Sequence, residues 1–174
     1  MLFQKGYMQI YTGNGKGKTT ASLGLALRCV GAGGRVFISQ FLKDGDYSES
    51  AGLGYFGDCV THETSGCGHF VRGKPSEEDK AKAVEGLERA RLAMLSGEYN
   101  MVILDEANVA AAIGLIPLES LQQLVAQRPE SVELVLTGRD AHPELMDMAD
   151  LVTRMEEVKH YYRAGVAARV GIEK

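Results

Sequence analysis

Thr12-Gly13-Asn14-Gly15-Lys16-Gly17-Lys18-Thr19-Thr20 stands directly behind Tyr7–Thr12, a short run rich in β-formers, and directly ahead of Ala21–Val30, a helical run. Consecutive glycines let backbone N–H groups turn inward as an anion nest, and the start of the following helix adds its dipole. A lysine then supplies a point charge for phosphates, and the next hydroxyl can ligate magnesium. The common phosphate-loop pattern places a glycine, four residues, then Gly-Lys-Ser/Thr. Here Thr12 holds the first place, so the loop is a variant lacking that glycine. A glycine-rich turn that binds nothing is the competing reading. Loop, lysine, hydroxyl and both flanking elements agree on ATP, with Gly13 to Thr20 holding its phosphates.

Working outward, Arg35–Gln40 reads as a second buried strand beyond the glycines Gly31, Gly33 and Gly34. Strand, loop, helix and strand make one βαβ unit and predict a parallel sheet. From about 41 to 74 the pattern breaks into a glycine-rich insertion, with one short strand expected near Cys59–His62. Pro75 and Ser76 open a long helix reaching about Leu95, with Ser76 and Asp79 placed as a capping box. Met101–Leu104 is a buried strand, Leu118–Gln127 a helix begun by Pro117, and Val132–Leu136 a strand. Pro143–Met148 reads as a short helix and Leu151–Met155 as a further strand. The tail Val166–Ile172 is expected to add an edge strand. The whole, residues 1–174, reads as one α/β domain of three layers, P-loop NTPase-like, around a mostly parallel sheet.

The strand Met101–Leu104 delivers Asp105 and Glu106 to its C-terminal end, the edge where open α/β sheets bind ligands. An acidic pair there is also common as a plain helix start. Beside a phosphate loop it points to magnesium held by Thr19, Asp105 and Glu106. Arg139, in Leu136-Thr137-Gly138-Arg139, falls on the same edge and suits phosphate or nucleotide. Arg28, about two and a half turns beyond Thr19, is by geometry an ordinary helix-surface charge. Cys59, His62, Cys67 and His69 fit no common zinc spacing. Cys29 lies on an apolar helix face and is expected in the core, while His142 and His160 suit local hydrogen bonds.

The net charge of -4 argues against a large nucleic-acid footprint. No apolar run approaches the roughly 18 residues needed to span a bilayer, and Met1–Gly6 lacks the apolar core of a secretion signal. With three cysteines that cannot all pair, a cytoplasmic setting without a membrane is expected.

Five segments occur in a fixed order: Gly13 to Thr20, Gln40-Phe41-Leu42-Lys43, Leu104-Asp105-Glu106, Thr137-Gly138-Arg139 with His142, and Val158-Lys159-His160 with Ala164-Gly165-Val166 and Gly171-Ile172. Together they resemble the ATP:corrinoid adenosyltransferases, from about Tyr7 to the C-terminus. The resemblance implies a transferase in which ATP lies reversed in its loop. Cobalt(I) of a reduced corrinoid attacks the 5′ carbon of the ribose, and triphosphate departs. It further implies that Lys18, Thr19 and Glu106 carry the reaction with magnesium, and that Arg28 and Arg139 steady ATP. A homodimer and a reducing partner such as a flavoprotein are implied as well. Better-known members carry a tryptophan in the loop before the long helix. This chain has none and offers Gly68-His69-Phe70. Phe70 becomes the expected corrinoid face, with Phe41 behind it and His69 beside it. Only six residues precede the first expected strand, so no extension folding over the corrinoid is expected. A phosphate-loop kinase or ATPase of another class, or a nucleotide-gated carrier of a cofactor, are the other readings that the loop alone allows.

Overall fold

The computed structural model describes residues 2–43, 47–66 and 74–173. Among these the element order is β1 (Met8–Thr12), α1 (Lys18–Gly31), β2 (Val36–Gln40), α2 (Ser48–Gly54), β3 (Val60–Thr64), α3 (Glu77–Leu95), β4 (Met101–Asp105), α4 (Ala107–Ala112), α5 (Leu118–Ala126), β5 (Glu133–Thr137), α6 (Pro143–Met148) and β6 (Leu151–Arg154). The described strands form one six-stranded sheet in the order β3-β2-β4-β5-β1-β6, and every pairing is parallel. The α/β class with a parallel sheet follows the expectation.

The central strands are buried on both faces, as helices on both sides of a parallel sheet require. Alternation divides their side chains between two cores. Ile10, Phe37, Val102, Leu104, Leu134 and Leu136 join the larger core, which also takes in α3, α4 and α5. Tyr11, Val36, Ile38, Ile103 and Val135 face α1 on the other side. The long helix begins as expected, with the Ser76 side chain and the Asp79 N–H closing a capping box. Cys29 is buried in the α1 core.

Several local features differ from the sequence reading, among them the short helix α4, which was not expected. The helix α2 lies within the stretch expected to be a loop, because Ser48–Gly54 is short and carries two glycines, leaving no helical period to read. The strand β3 runs on to Thr64, since pairing with β2 supplies what its polar residues lack in propensity. No strand forms over Val166–Ile172. There the chain turns at Gly165 and Gly171, both at positive φ, and β6 is left as the edge.

All parallel strands point their C-terminal ends to one edge. The strand β5 lies between β1 and β4, so Thr137 falls between the loop after β1 and the acidic end of β4.

Candidate active site

The loop after β1 is shaped by its glycines. Gly13 (φ 93°) and Gly17 (φ 114°) occupy left-handed conformations, which side chains other than glycine rarely adopt. The loop is also pressed against the segment behind β6: the Gly15 N–H donates to the Met155 carbonyl at 2.8 Å, and Met155 N–H donates to the Thr12 carbonyl at 2.8 Å. A Cβ at Gly13 would collide with the Met155 carbonyl oxygen.

Lys18 opens α1 and is 7% exposed. Its ammonium folds back on the loop, donating to the carbonyls of Gly13 at 2.8 Å and Gly15 at 2.7 Å. Burial pushes its pKa down, and the nearby Arg139 cation adds to this, while Glu106 and Asp105 oppose it. The lysine is thereby held as a preorganised charge at a helix start.

Thr19 Oγ1 donates to Asp105 Oδ1 at 2.9 Å. Thr137 Oγ1 donates to the same oxygen at 2.6 Å, and Gln40 Nε2 donates to Asp105 Oδ2 at 2.9 Å. Asp105 is 1% exposed, and its oxygens are engaged from three strand or loop ends. Glu106, the next residue, lies in the left-handed region at φ 61°, a conformation that costs about 1–3 kcal/mol for a non-glycine residue. That turn aims Glu106 into a cavity of about 480 Å³ which Lys16, Lys18, Thr19 and Thr20 also line. Burial raises the Glu106 pKa, Asp105 raises it further, and Lys18, Lys43 and Arg139 pull the other way.

Of the cavity's other walls, Lys43, Gly171 and Ile172 stand in segments that carry the family resemblance but were given no role, and Ser48, Glu49 and Glu173 were not singled out. Lys43, Ser48 and Glu49 close one side. Lys43 pairs with Glu49 at 2.8 Å and lies over the Tyr47 ring at 4.1 Å. Burial alone would depress the Lys43 pKa, but Glu49, with Asp105, outweighs it and the net shift is upward. Gly171, Ile172 and Glu173 form the opposite rim. Lys16 Nζ donates to the Ile172 carbonyl at 3.0 Å and lies 3.5 Å from Glu173. Lys43 was within reach of sequence reasoning, since it follows the C-terminal end of a strand at the binding edge. Gly171 and Ile172 were marked only as part of the family's C-terminal segment, and Ser48–Glu49 has no such signal.

The structure gathers Lys16, Gly17, Lys18, Thr19, Thr20 and Glu106 around one cavity, with Arg139 close enough for its charge to act on Lys18 and Glu106. Gly13 and Asn14 line a second cavity of about 320 Å³ on the side of β6, with Arg154 and Arg163. Arg28 is an exposed residue in the last turn of α1, about 15 Å along the helix from Lys18. Phe41 is wholly buried in the larger core, so it offers no face to a ligand. His69, Phe70 and Cys67 lie outside the described residues, while Cys59 is exposed. His142 and His160 accept hydrogen bonds from the N–H groups of Glu144 and Tyr162, the local roles expected of them.

A glycine loop between a strand and a helix start, set beside a strand-end acid across an all-parallel sheet, is consistent with the P-loop NTPase-like fold class. The family model described as "ATP:corrinoid adenosyltransferase BtuR/CobO/CobP" matches residues 4–173. The chain is 34% identical to "Corrinoid adenosyltransferase" of Escherichia coli K12 over 170 residues, covering 98% of this chain and 86% of that protein. It is 32% identical to "Corrinoid adenosyltransferase" of Pseudomonas aeruginosa over 171 residues, covering 98% and 84%. Against "Corrinoid adenosyltransferase CobA" of Salmonella typhimurium it is 32% identical over 170 residues, covering 98% and 86%. The chain belongs to the ATP:corrinoid adenosyltransferase family.

Proposed function

We propose that this protein transfers the 5′-deoxyadenosyl group of ATP to the cobalt of a reduced corrinoid and releases triphosphate. The observation that carries this reading is the convergence of Lys18, the Thr19–Asp105 hydrogen bond and Glu106 on one cavity in a chain of this family.

The triphosphate is assigned to the loop from Gly13 to Thr20, with Lys18 as fixed charge, Lys16 at the rim and Arg139 alongside. Arg28 is retained as a proposed ATP contact on the strength of the family alone. The reaction forms a cobalt–carbon bond with an electron pair from cobalt(I), which becomes formally cobalt(III). The C5′–oxygen bond breaks, and its electron pair leaves on the triphosphate. Cobalt is itself the nucleophile, so no activated serine or cysteine is needed. The chain's work is to bind and orient ATP and to stabilise negative charge on the departing phosphates with preorganised cations. Thr19, Asp105 and Glu106 present only oxygen donors at one edge, a set that suits magnesium. Thr19 and Glu106 would hold it, with Asp105 behind. When bound, it neutralises charge on the phosphates.

Phe70, with His69 next to it in sequence, is the proposed corrinoid face, while Phe41 lies within the core. A homodimer, a reducing flavoprotein partner and a cytoplasmic setting complete the reading. Among the described residues no helix is long and apolar enough to cross a membrane.

The test is to incubate the protein with ATP, magnesium and chemically reduced cobalamin. A light-sensitive cobalt–carbon product and one equivalent of triphosphate are expected. Release of ADP or orthophosphate without that product overturns the reading.

A further inference from the structure

Behind Asp105 lies a chain of polar side chains whose hydrogen bonds have one self-consistent direction. Asp105 only accepts: from Thr19 and Thr137 on Oδ1, and from Gln40 Nε2 on Oδ2. Gln40 is wholly buried. With its nitrogen committed to the Asp105 carboxylate, its Oε1 faces the other way, where His62 Nε2 lies at 2.8 Å. An amide oxygen has no proton to give, so His62 must carry its proton on Nε2. His62 reaches this point from the sheet edge. In the register of β2 and β3 it stands opposite Ile38, while Gln40 is opposite Thr64. The contact is therefore a diagonal one across the strand pair, on the face that also carries Asp105.

We propose that His62 is a positioning residue for the magnesium end of the nucleotide site, acting through Gln40 on Asp105. This rests on the reading of Thr19 and Asp105 given above. Donation from His62 holds Gln40 in the one amide orientation that turns N–H toward Asp105. The opposite orientation would set two acceptor oxygens face to face and push the carboxylate from Thr19. Without His62, a fully buried amide oxygen loses its partner, and the Gln40 side chain loses the contact that fixes where its N–H meets Asp105. The chemistry is that of an outer network fixing a carboxylate behind the metal ligands; loss of a direct outer partner typically weakens metal affinity about 10- to 100-fold, and His62, acting through Gln40, is placed at the low end of that range.

The test compares the full chain with His62→Leu and His62→Gln, the latter placing an amide N–H near the position of Nε2. ATP binding is titrated by calorimetry over a series of magnesium concentrations without corrinoid. For His62→Leu the magnesium concentration at half-maximal ATP binding rises about tenfold, while metal-free ATP binding stays within about twofold. His62→Gln returns the midpoint toward wild type. A His62→Leu titration that matches wild type overturns the proposal, as does His62→Gln behaving like His62→Leu. A parallel loss of metal-free and magnesium-dependent binding also overturns it. Nitrogen NMR of the wild-type protein gives a check that needs no variant: the Nε2-protonated tautomer of His62 is expected, and the Nδ1-protonated one is fatal. If wild type itself shows no magnesium dependence of ATP binding, the nucleotide-site reading fails first and the positioning role with it.

Discussion

Thr19 and Asp105, 86 positions apart, are joined by a hydrogen bond of 2.9 Å. It ties the first turn of α1 to the end of β4, two strands over in the sheet. Thr137 at the end of β5 reaches the same carboxylate oxygen from between them. The glycine loop and the acidic end of β4 are thus set relative to each other by contacts within the chain itself, which is the preorganisation that the proposed charge stabilisation requires.

Lys18→Ala removes a largely buried cation from this frame and leaves the Gly13 and Gly15 carbonyls without their partner. The expected loss is at least about 2 kcal/mol in kcat/KM for ATP. Steady-state kinetics at saturating corrinoid measures it. Activity within a factor of two of wild type would remove Lys18 from the site.

Asp105→Asn replaces an acceptor oxygen with a donor NH2 among three donors. One hydrogen bond becomes a clash unless Gln40 turns over, and that in turn sets its NH2 against His62. Urea unfolding should show about 1–3 kcal/mol lost stability, alongside weakened magnesium-dependent ATP binding. A variant as stable as wild type would contradict the described network.

Glu106 gives a pH-dependent prediction. Burial, followed by Asp105, raises its folded pKa. A carboxyl with a raised folded pKa contributes stability below its unfolded pKa and loses it as pH rises through the folded value. Glu106→Gln should therefore be more stable than wild type at neutral pH without ligand, with the difference closing as pH falls toward 4 (about the ordinary glutamate pKa). Its adenosyl transfer should fall at least about tenfold. Thermal unfolding across pH checks the first part, and equal stability at pH 7 would count against it.

At the rim, Glu173 has its pKa lowered to about 2, chiefly by Arg169, then by Tyr161. It therefore stays ionised throughout the physiological range. Glu173→Ala should free Lys16 and tighten ATP binding by no more than about fivefold, an effect fading with added salt as surface ion pairs do. ATP affinity measured at low and high ionic strength distinguishes this from a structural loss, which would weaken binding at both.

Much of the frame was legible because its signals are local. The loop Gly13–Thr20 is contiguous, and the runs Arg35–Gln40 and Met101–Leu104 need only their apolar character to be read as strands. The edge strand expected in the tail failed because alternation over Val166–Ile172 carries no information about the positive φ of Gly165 just before it and of Gly171 within it. The helix α4 was hidden by its length, six residues directly after the strained Glu106. The network behind Asp105 was invisible for a different reason. Gln40 and Asp105 meet through the register of β2 with β4, and His62 joins diagonally from β3. Such meetings depend on strand order, which no single segment encodes.

The tail contact at Lys16 also bears on how the protein is handled. A purification tag appended behind Glu173 would be tethered at the mouth of the nucleotide cavity, beside Ile172. One placed ahead of Leu2 would start near Gly34 and Cys29, at the other end of the strands and about 17 Å of sheet away. Assays of ATP affinity should use the second arrangement, because the first puts foreign chain at the cavity to which the triphosphate is proposed to bind.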